Sequence, residues 1–324
     1  MEQLRKTNAF MEKWIYVIMP LIMLLGLTSG QGLSAWTGWT SFLFMILTFI
    51  SSMQADYRKF VLLFKKPGFL VLFMAGVHLV IPWTVFQISG LVFPFHPDLV
   101  TGVTLSTLLP LGVTSIFWVA YNKASVETTL SLVSLDTLLS PFIVPLTLSV
   151  VLGSHVSLNV ESLTMNLLKL VLIPTVLGML FGEYVMKKAE KPWLKPASSL
   201  VGKACLYIIV LLNAASISEQ IDAIGSNAVL LVVTLFVTLI FGYLANFLIA
   251  SVFTDDRSER VAISYSGGVR NYTVGVVLAA AFFKPIVALP VLIAMLLQHP
   301  MALLFYYVFR WTRHEAKLKE SSGM

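Results

Sequence analysis

Cysteine is all but missing: Cys205 stands alone among 324 residues, which excludes a disulfide framework or a cysteine-built metal cluster and leaves packing as its role. Charge is scarce too, at 12% of residues against 57% hydrophobic, with a mean hydropathy of +0.86. That is too apolar for a soluble domain. There is no H-E-x-x-H, no G-x-S-x-G and no carboxylate pair within the apolar spans, so a membrane-embedded enzyme lacks its nucleophile and metal chemistry. The net charge of +6 is spread through short loops rather than gathered in one patch, which argues against a nucleic-acid partner.

What the chain has in quantity is apolar sequence in bilayer-crossing lengths, with gaps too short for a separate soluble domain. Ten spans are expected, at about 14–30, 35–54, 69–93, 98–121, 126–152, 160–185, 198–217, 227–252, 257–283 and 285–311. The loops hold an alternating Lys and Arg surplus. Arg5, Lys6 and Lys13 precede the first span; Arg58, Lys59, Lys65 and Lys66 follow the second; Lys187, Lys188, Lys191 and Lys195 follow the sixth; Arg310, Arg313, Lys317 and Lys319 close the chain. Lys123, Arg257 and Arg260 fall on the same side, and only Lys284 on the other. The positive-inside rule then puts both termini in the cytoplasm and the chain in the cell membrane. The first span reads as a retained helix, because removing it as a signal peptide would spoil the alternation.

Ten spans divide near His155 into two fives, and an odd number per half inverts the second half relative to the first. The expected organisation is a cytoplasmic N-terminus (1–13), two inverted five-helix repeats (14–155 and 156–311) and a cytoplasmic tail (312–324). The fourth and ninth spans, equivalent members of the two halves, are both interrupted midway by glycine and polar residues: "LLPLGVTSIF" from Leu108 and "SGGVRNYTVG" from Ser266. A break leaves backbone groups unpaired at several kcal/mol each in lipid, so it survives only against protein or water. A half-helix begins after each break, with Thr114, Ser115, Asn271 and Thr273 as candidate N-caps, and its positive end favours an anion. A pair of structural kinks is the plainer alternative.

Asp136, Lys169 and Arg270 lie within spans, roughly 15 Å deep, each at a cost of about 2.5–3.5 kcal/mol unless paired or wetted. An Asp136–Arg270 ion pair is expected, on a face shared with Thr129 and Val133. Lys169 either leaves one surplus positive charge near the midplane, suiting a carboxylate substrate, or snorkels to the surface. His299 and His78 are the remaining buried polar candidates, each readable as a packing residue or a ligand.

Pro110 and Gly112 before Thr114 and Ser115, "DTLLSPFIVP" from Asp136, Lys169 with "LIPTVLG" from Leu172, Gly268 and Asn271, and His299 together resemble the bile acid:sodium symporter family over about residues 14–311. The resemblance implies an all-α integral membrane protein with core and panel domains, broken crossing helices 4 and 9, and alternating-access transport of an organic anion contacting Thr114, Asn271 and His299. It also implies two sodium ions, yet family polar ligands are replaced here by Ile116, Val133 and Val77, a glutamate by Ser266 and a glutamine by Arg270; Thr129 keeps its hydroxyl. Arg270 is expected to stand in for a sodium ion, with Asp136 as counter-ion. The expected partners are a small organic anion and the lipid bilayer, with no cofactor and no resident metal. An anion sensor that binds without transporting is the alternative from another class.

Overall fold

In hydrocarbon a chain has no water to satisfy its amides, so apolar runs of this length close their own hydrogen bonds as helices. The computed structural model, which describes residues 2–53, 67–153, 160–186, 193–218, 225 and 227–322, is helical through most of them. α1 (Glu2–Lys13), α2 (Ile15–Thr28), α3 (Gly30–Ser34) and α4 (Thr40–Ser52) come first. α5 (Pro67–Ala75) and α6 (Ile81–Val92) form one span through a π-helical turn at Gly76–Val80. α7 (Pro97–Leu108) and α8 (Ser115–Tyr121) precede the long α9 (Val126–Leu152). α10 (Val160–Leu167) and α11 (Ile173–Phe181) also meet through a π turn, at Leu168–Leu172. α12 (Leu194–Ser216), α13 (Asn227–Phe253), α14 (Arg257–Gly268), α15 (Tyr272–Phe282) and α16 (Ala288–Ser322) follow.

Among the described residues, seven helices are long and apolar enough to cross a membrane: Gly32–Ser52, Pro67–Val92, Val126–Leu152, Val160–Met186, Leu194–Ser216, Asn227–Phe253 and Pro285–Thr312. They coincide with seven of the ten expected spans. Of the others, the first corresponds to α2, whose apolar part, Val17–Thr28, is shorter. The fourth and ninth are each split in two, as α7 with α8 and α14 with α15. The basic loops at Arg58, Lys59, Lys65, Lys66, Lys187, Lys188 and Lys191, and the dividing point near His155, lie outside the described residues.

Packing sorts the helices into two groups. α2, α4, α11 and α12 pack on one another; α13 packs on α14 and α16, and α7 on α6 and α16. Contacts of α15 with α4 and α12 join the groups. Large apolar side chains cover the outside, among them Leu91, Val71 and Leu248. In water they would form an association surface, whereas against lipid tails they are at no disadvantage.

Two glycines fix how closely the broken helices approach. A Cβ on Gly112 would stand 2.8 Å from the Arg270 carbonyl oxygen, and one on Gly268 would stand 2.7 Å from the ring of the fully buried Tyr243. In Gly112→Ala the backbone itself must yield, and overpacking of this kind costs about 1–3 kcal/mol. We therefore expect a lowered thermal midpoint for Gly112→Ala in detergent, while Gly90→Ala, whose Cβ would meet nothing within 4 Å, leaves the midpoint in place.

Candidate functional site

The first break starts at a proline. Pro110 disfavours helical backbone at the residue before it, and Leu109 is extended, with φ −67° and ψ 155°, so α7 stops at Leu108. The second follows Gly267 and Gly268, where β-branched Val269 is extended at φ −98° and ψ 123°. These two extended stretches lie side by side in opposite directions. The Gly112 N–H donates to the Val269 carbonyl at 2.8 Å and the Asn271 N–H to the Pro110 carbonyl at 2.8 Å, which sets Leu111 opposite Arg270 as an antiparallel bridge.

In such a pair the N–H groups of the two facing residues point away from the partner strand. Each then needs an outside acceptor, because a buried unpaired amide costs about 1–3 kcal/mol. The Leu111 N–H donates to Asp136 Oδ2 at 2.6 Å, and the Arg270 N–H to Gln298 Oε1 at 2.7 Å. Both acceptors are buried, Asp136 fully and Gln298 at 5% exposure.

The charges are arranged around the same stretch. The Arg270 guanidinium donates to the carbonyls of Leu109 at 3.1 Å and Val77 at 3.2 Å. Asp136 Oδ1 meets His78 Nε2 at 2.5 Å, and both side chains are within 1% of complete burial. The expected direct Asp136–Arg270 ion pair is therefore not formed. Instead both groups hold Leu109–Leu111 from two sides, Arg270 through a carbonyl and Asp136 through an N–H. A break exposes both kinds of backbone group, so a cation and an anion are both useful there. Val77 and His78 belong to the π turn of the third span, where the i→i+5 pattern frees a carbonyl.

The other expected site residues divide. Thr114 and Asn271 occupy N-cap positions of α8 and α15, but neither side chain caps its helix. Ser115 lies inside α8 with its hydroxyl on the Gly112 carbonyl at 2.7 Å, and Thr273 inside the first turn of α15; neither is a cap. Thr129 and Ser266 hydroxyls both turn to one carbonyl, that of Ala262, at 3.4 and 2.8 Å. His299 is half-buried and follows Gln298 in α16. Lys169 is exposed on the outside of its span, so it adds no positive charge to the crossing, and Asp136 offsets Arg270. The sequence leaves His78 open between packing and ligation and does not single out Gln298. The available signal for Gln298 was an amide beside His299 in an otherwise apolar span.

A sodium site would need several oxygen donors converging on one point. Here the side chains of Val77, Ile116 and Val133 offer hydrocarbon, a guanidinium occupies two carbonyls, and of the side chains compared only Thr129 and Ser266 offer an oxygen. This donor set does not suit the ion.

A family model described as "Sodium Bile acid symporter family" matches residues 40–220, a range that contains the first break and stops short of the second. The chain is 33% identical over 293 residues to the uncharacterized protein YbaS of Bacillus subtilis (strain 168), covering 90% of this chain and 95% of that one. It is 26% identical over 242 residues to the uncharacterized sodium-dependent transporter YocS of the same organism, covering 74% and 72%. It is 24% identical over 193 residues to the probable sodium/metabolite cotransporter BASS2, chloroplastic, of Oryza sativa subsp. japonica, covering 59% of this chain and 45% of the rice protein.

Truncating Asp136 to alanine orphans the Leu111 N–H and the His78 ring together, at about 1–3 kcal/mol for each. Asp136→Ala should fall by about 2–4 kcal/mol in stability, read as a lowered denaturation midpoint. A loss no larger than that of Ser51→Ala, an exposed helix hydroxyl, would show that Asp136 does not hold the crossing.

Proposed function

The chain belongs to the sodium bile acid symporter family, and from that premise we propose that it carries a small organic anion across the membrane by alternating access without coupling to sodium. It is a multi-span helical membrane protein of a transporter family. The observation that carries the proposal is Arg270, buried at the crossing with its guanidinium on the Leu109 and Val77 carbonyls. Carbonyl oxygens at a helix break are what a bound alkali cation would seek. A guanidinium supplies the same positive charge covalently tethered, so it stabilises the crossing but cannot travel down a gradient.

The anion is placed at the N-terminal end of α15, where Asn271 and Thr273 stand over a positive dipole end, with Thr114 across the bridge and His299 on α16. Inverted repeats are supported by the way each half solves the same problem. The fifth span supplies Asp136 for the Leu111 N–H, and the tenth supplies Gln298 for the Arg270 N–H. The fifth and tenth are the last members of their halves. The termini are placed in the cytoplasm on the loop charges.

Flux of a radiolabelled small carboxylate or bile acid into proteoliposomes should be the same with and without an inward sodium gradient; a strong sodium requirement would end the proposal. In Arg270→Gln, flux without sodium should drop at least about tenfold, equivalent to about 1.4 kcal/mol, and added sodium should restore part of it. Undiminished flux in that variant would leave Arg270 a structural residue only.

A further inference from the structure

Asp136 spends Oδ2 on the Leu111 N–H, so Oδ1 is what it offers to His78, which it meets through Nε2 at 2.5 Å. The other ring nitrogen, His78 Nδ1, is buried and has no hydrogen-bond partner. A histidine kept for packing or for geometry alone gains nothing from such an atom, because an unpaired buried polar group bears its full desolvation penalty. With Nε2–H donating to an ionised Asp136, Nδ1 carries a bare lone pair, the place where an imidazole takes its second proton. A partner at Nδ1 would fix which nitrogen holds a proton. Without one, the pair is not locked to a single proton count.

The charges around the pair can be placed element by element. The π turn carrying His78 packs on α5, α6, α7, α9 and α13, and α9 packs in addition on α8, α10, α14 and the π turn at Leu168–Leu172. α5 and α6 carry no titratable residue. Asp98, in the first turn of α7 and so at its far end from Leu109, pairs with Lys284 at 3.1 Å. Tyr121 of α8, Glu127 of α9 itself, Glu161 of α10 and Lys169 are exposed. Tyr243 of α13 stacks its ring on Phe305 at 4.3 Å, and the Tyr265 hydroxyl of α14 donates to the Ala302 carbonyl. Arg257, Glu259 and Arg260 occupy the first turn of α14, beside the start of α9, where the Ser125 N–H donates to the Ser258 carbonyl. That point is about 16 Å along α9 from Asp136 by helix rise. Arg270 is different in kind: it shares the stretch Leu109–Leu111 with Asp136 and donates to the carbonyl of Val77, the residue before His78.

Counting charge over these three side chains gives the pair a task. With one proton between its facing atoms, His78–Asp136 carries −1 against the +1 of Arg270, and the crossing is neutral. With one proton more the pair itself is neutral, whichever member holds it, and the crossing stands at +1. An anion at the start of α15 returns the total to zero. Net charge in the membrane interior is costly, so proton and anion each favour the binding of the other, and the coupling is reciprocal. We propose that His78 and Asp136 form a proton-binding site and that one proton crosses with each monovalent anion, an electroneutral symport. The inference rests on the anion transport proposed above and names its coupling ion. The proton is taken from water on the side to which the crossing is open and returned to water on the other, so the only bond made and broken is the one that holds it.

Full-length protein in proteoliposomes is given radiolabelled lactate or taurocholate, a small carboxylate and a bile-acid monoanion, with the outside about one pH unit more acidic than the inside and uptake by protein-free liposomes subtracted. One pH unit is tenfold in protons, so one-to-one coupling should sustain accumulation of up to about tenfold. A membrane potential set with potassium and valinomycin should leave that accumulation unchanged, because no net charge moves. His78→Gln, whose amide can still donate to Asp136 but takes up no proton, should lose the accumulation, while exchange of labelled for unlabelled anion, which needs no net proton movement, remains measurable. Asp136→Asn, which keeps an acceptor for the Leu111 N–H, carries the same comparison if His78→Gln does not fold. Accumulation retained in both variants would overturn the site, and so would wild-type exchange that ignores the pH gradient or accumulation that follows the potential; in each of these the transport reading stands. Wild-type protein that exchanges neither anion would instead remove that reading, and the proton coupling with it.

Discussion

Everything at the centre of this protein depends on two short extended stretches finding hydrogen-bond partners where no water is at hand. Each peptide group left unpaired in the membrane interior costs several kcal/mol, so a helix cannot simply be cut there. The two breaks solve the problem jointly: they exchange a pair of backbone bonds between Pro110–Gly112 and Val269–Asn271. The two N–H groups that the exchange leaves over are given to side chains brought in from two other spans, Asp136 and Gln298, while the π turn of a third supplies the Val77 carbonyl to Arg270 and His78 to Asp136. The glycines serve that exchange, since any side chain at 112 would push the two backbones apart.

Charge follows from the same need. A carboxylate is the strongest acceptor available for the Leu111 N–H, but a lone buried carboxylate is prohibitive. Arg270 supplies the compensating charge without touching it, spending its planar fork on two carbonyls instead. Lysine would be a poor substitute, because an ammonium has no fixed geometry with which to reach two carbonyls on different spans. His78 closes the other side of Asp136. The result is an interior that is near neutral in total yet locally polarised, with the positive group on the half whose α15 N-terminus is also positive.

How much of this could be read in the sequence depended on helical phase. Apolar length located the spans, Pro110 marked the first break and the Gly267–Gly268 pair the second. The side-chain partners are harder to read, because the two residues whose surroundings the sequence leaves open lie in π turns, His78 in Gly76–Val80 and Lys169 in Leu168–Leu172. A π turn inserts an extra residue and rotates everything beyond it by about 100° relative to a regular helix. A helical-spacing argument therefore aims such residues at the wrong neighbours. Depth alone leaves open whether Lys169 turns inward, and it is exposed; nothing in the sequence pairs His78 with Asp136. Gln298 escaped for a different reason: a neutral amide in an apolar span carries no charge to flag it, and its importance comes only from the Arg270 N–H that a bridge in another helix turns toward it.

The bridge also constrains how such a protein could move. Its two backbone bonds lie among mostly buried residues, with their flanking amides pinned by Asp136 and Gln298, so sliding one break past the other would orphan four donors at once. Under the alternating-access reading the crossing must travel as one body with the helices that pin it, α9 and α16. The motion then falls to the seam where α15 meets α4 and α12, between the two packing groups. In a sodium-coupled relative a mobile ion could loosen or tighten the crossing as it enters and leaves. On the proposed reading the cation is part of the chain and the crossing would stay knit throughout the cycle, which would leave the anion and the proton it travels with as the variable charges at the centre.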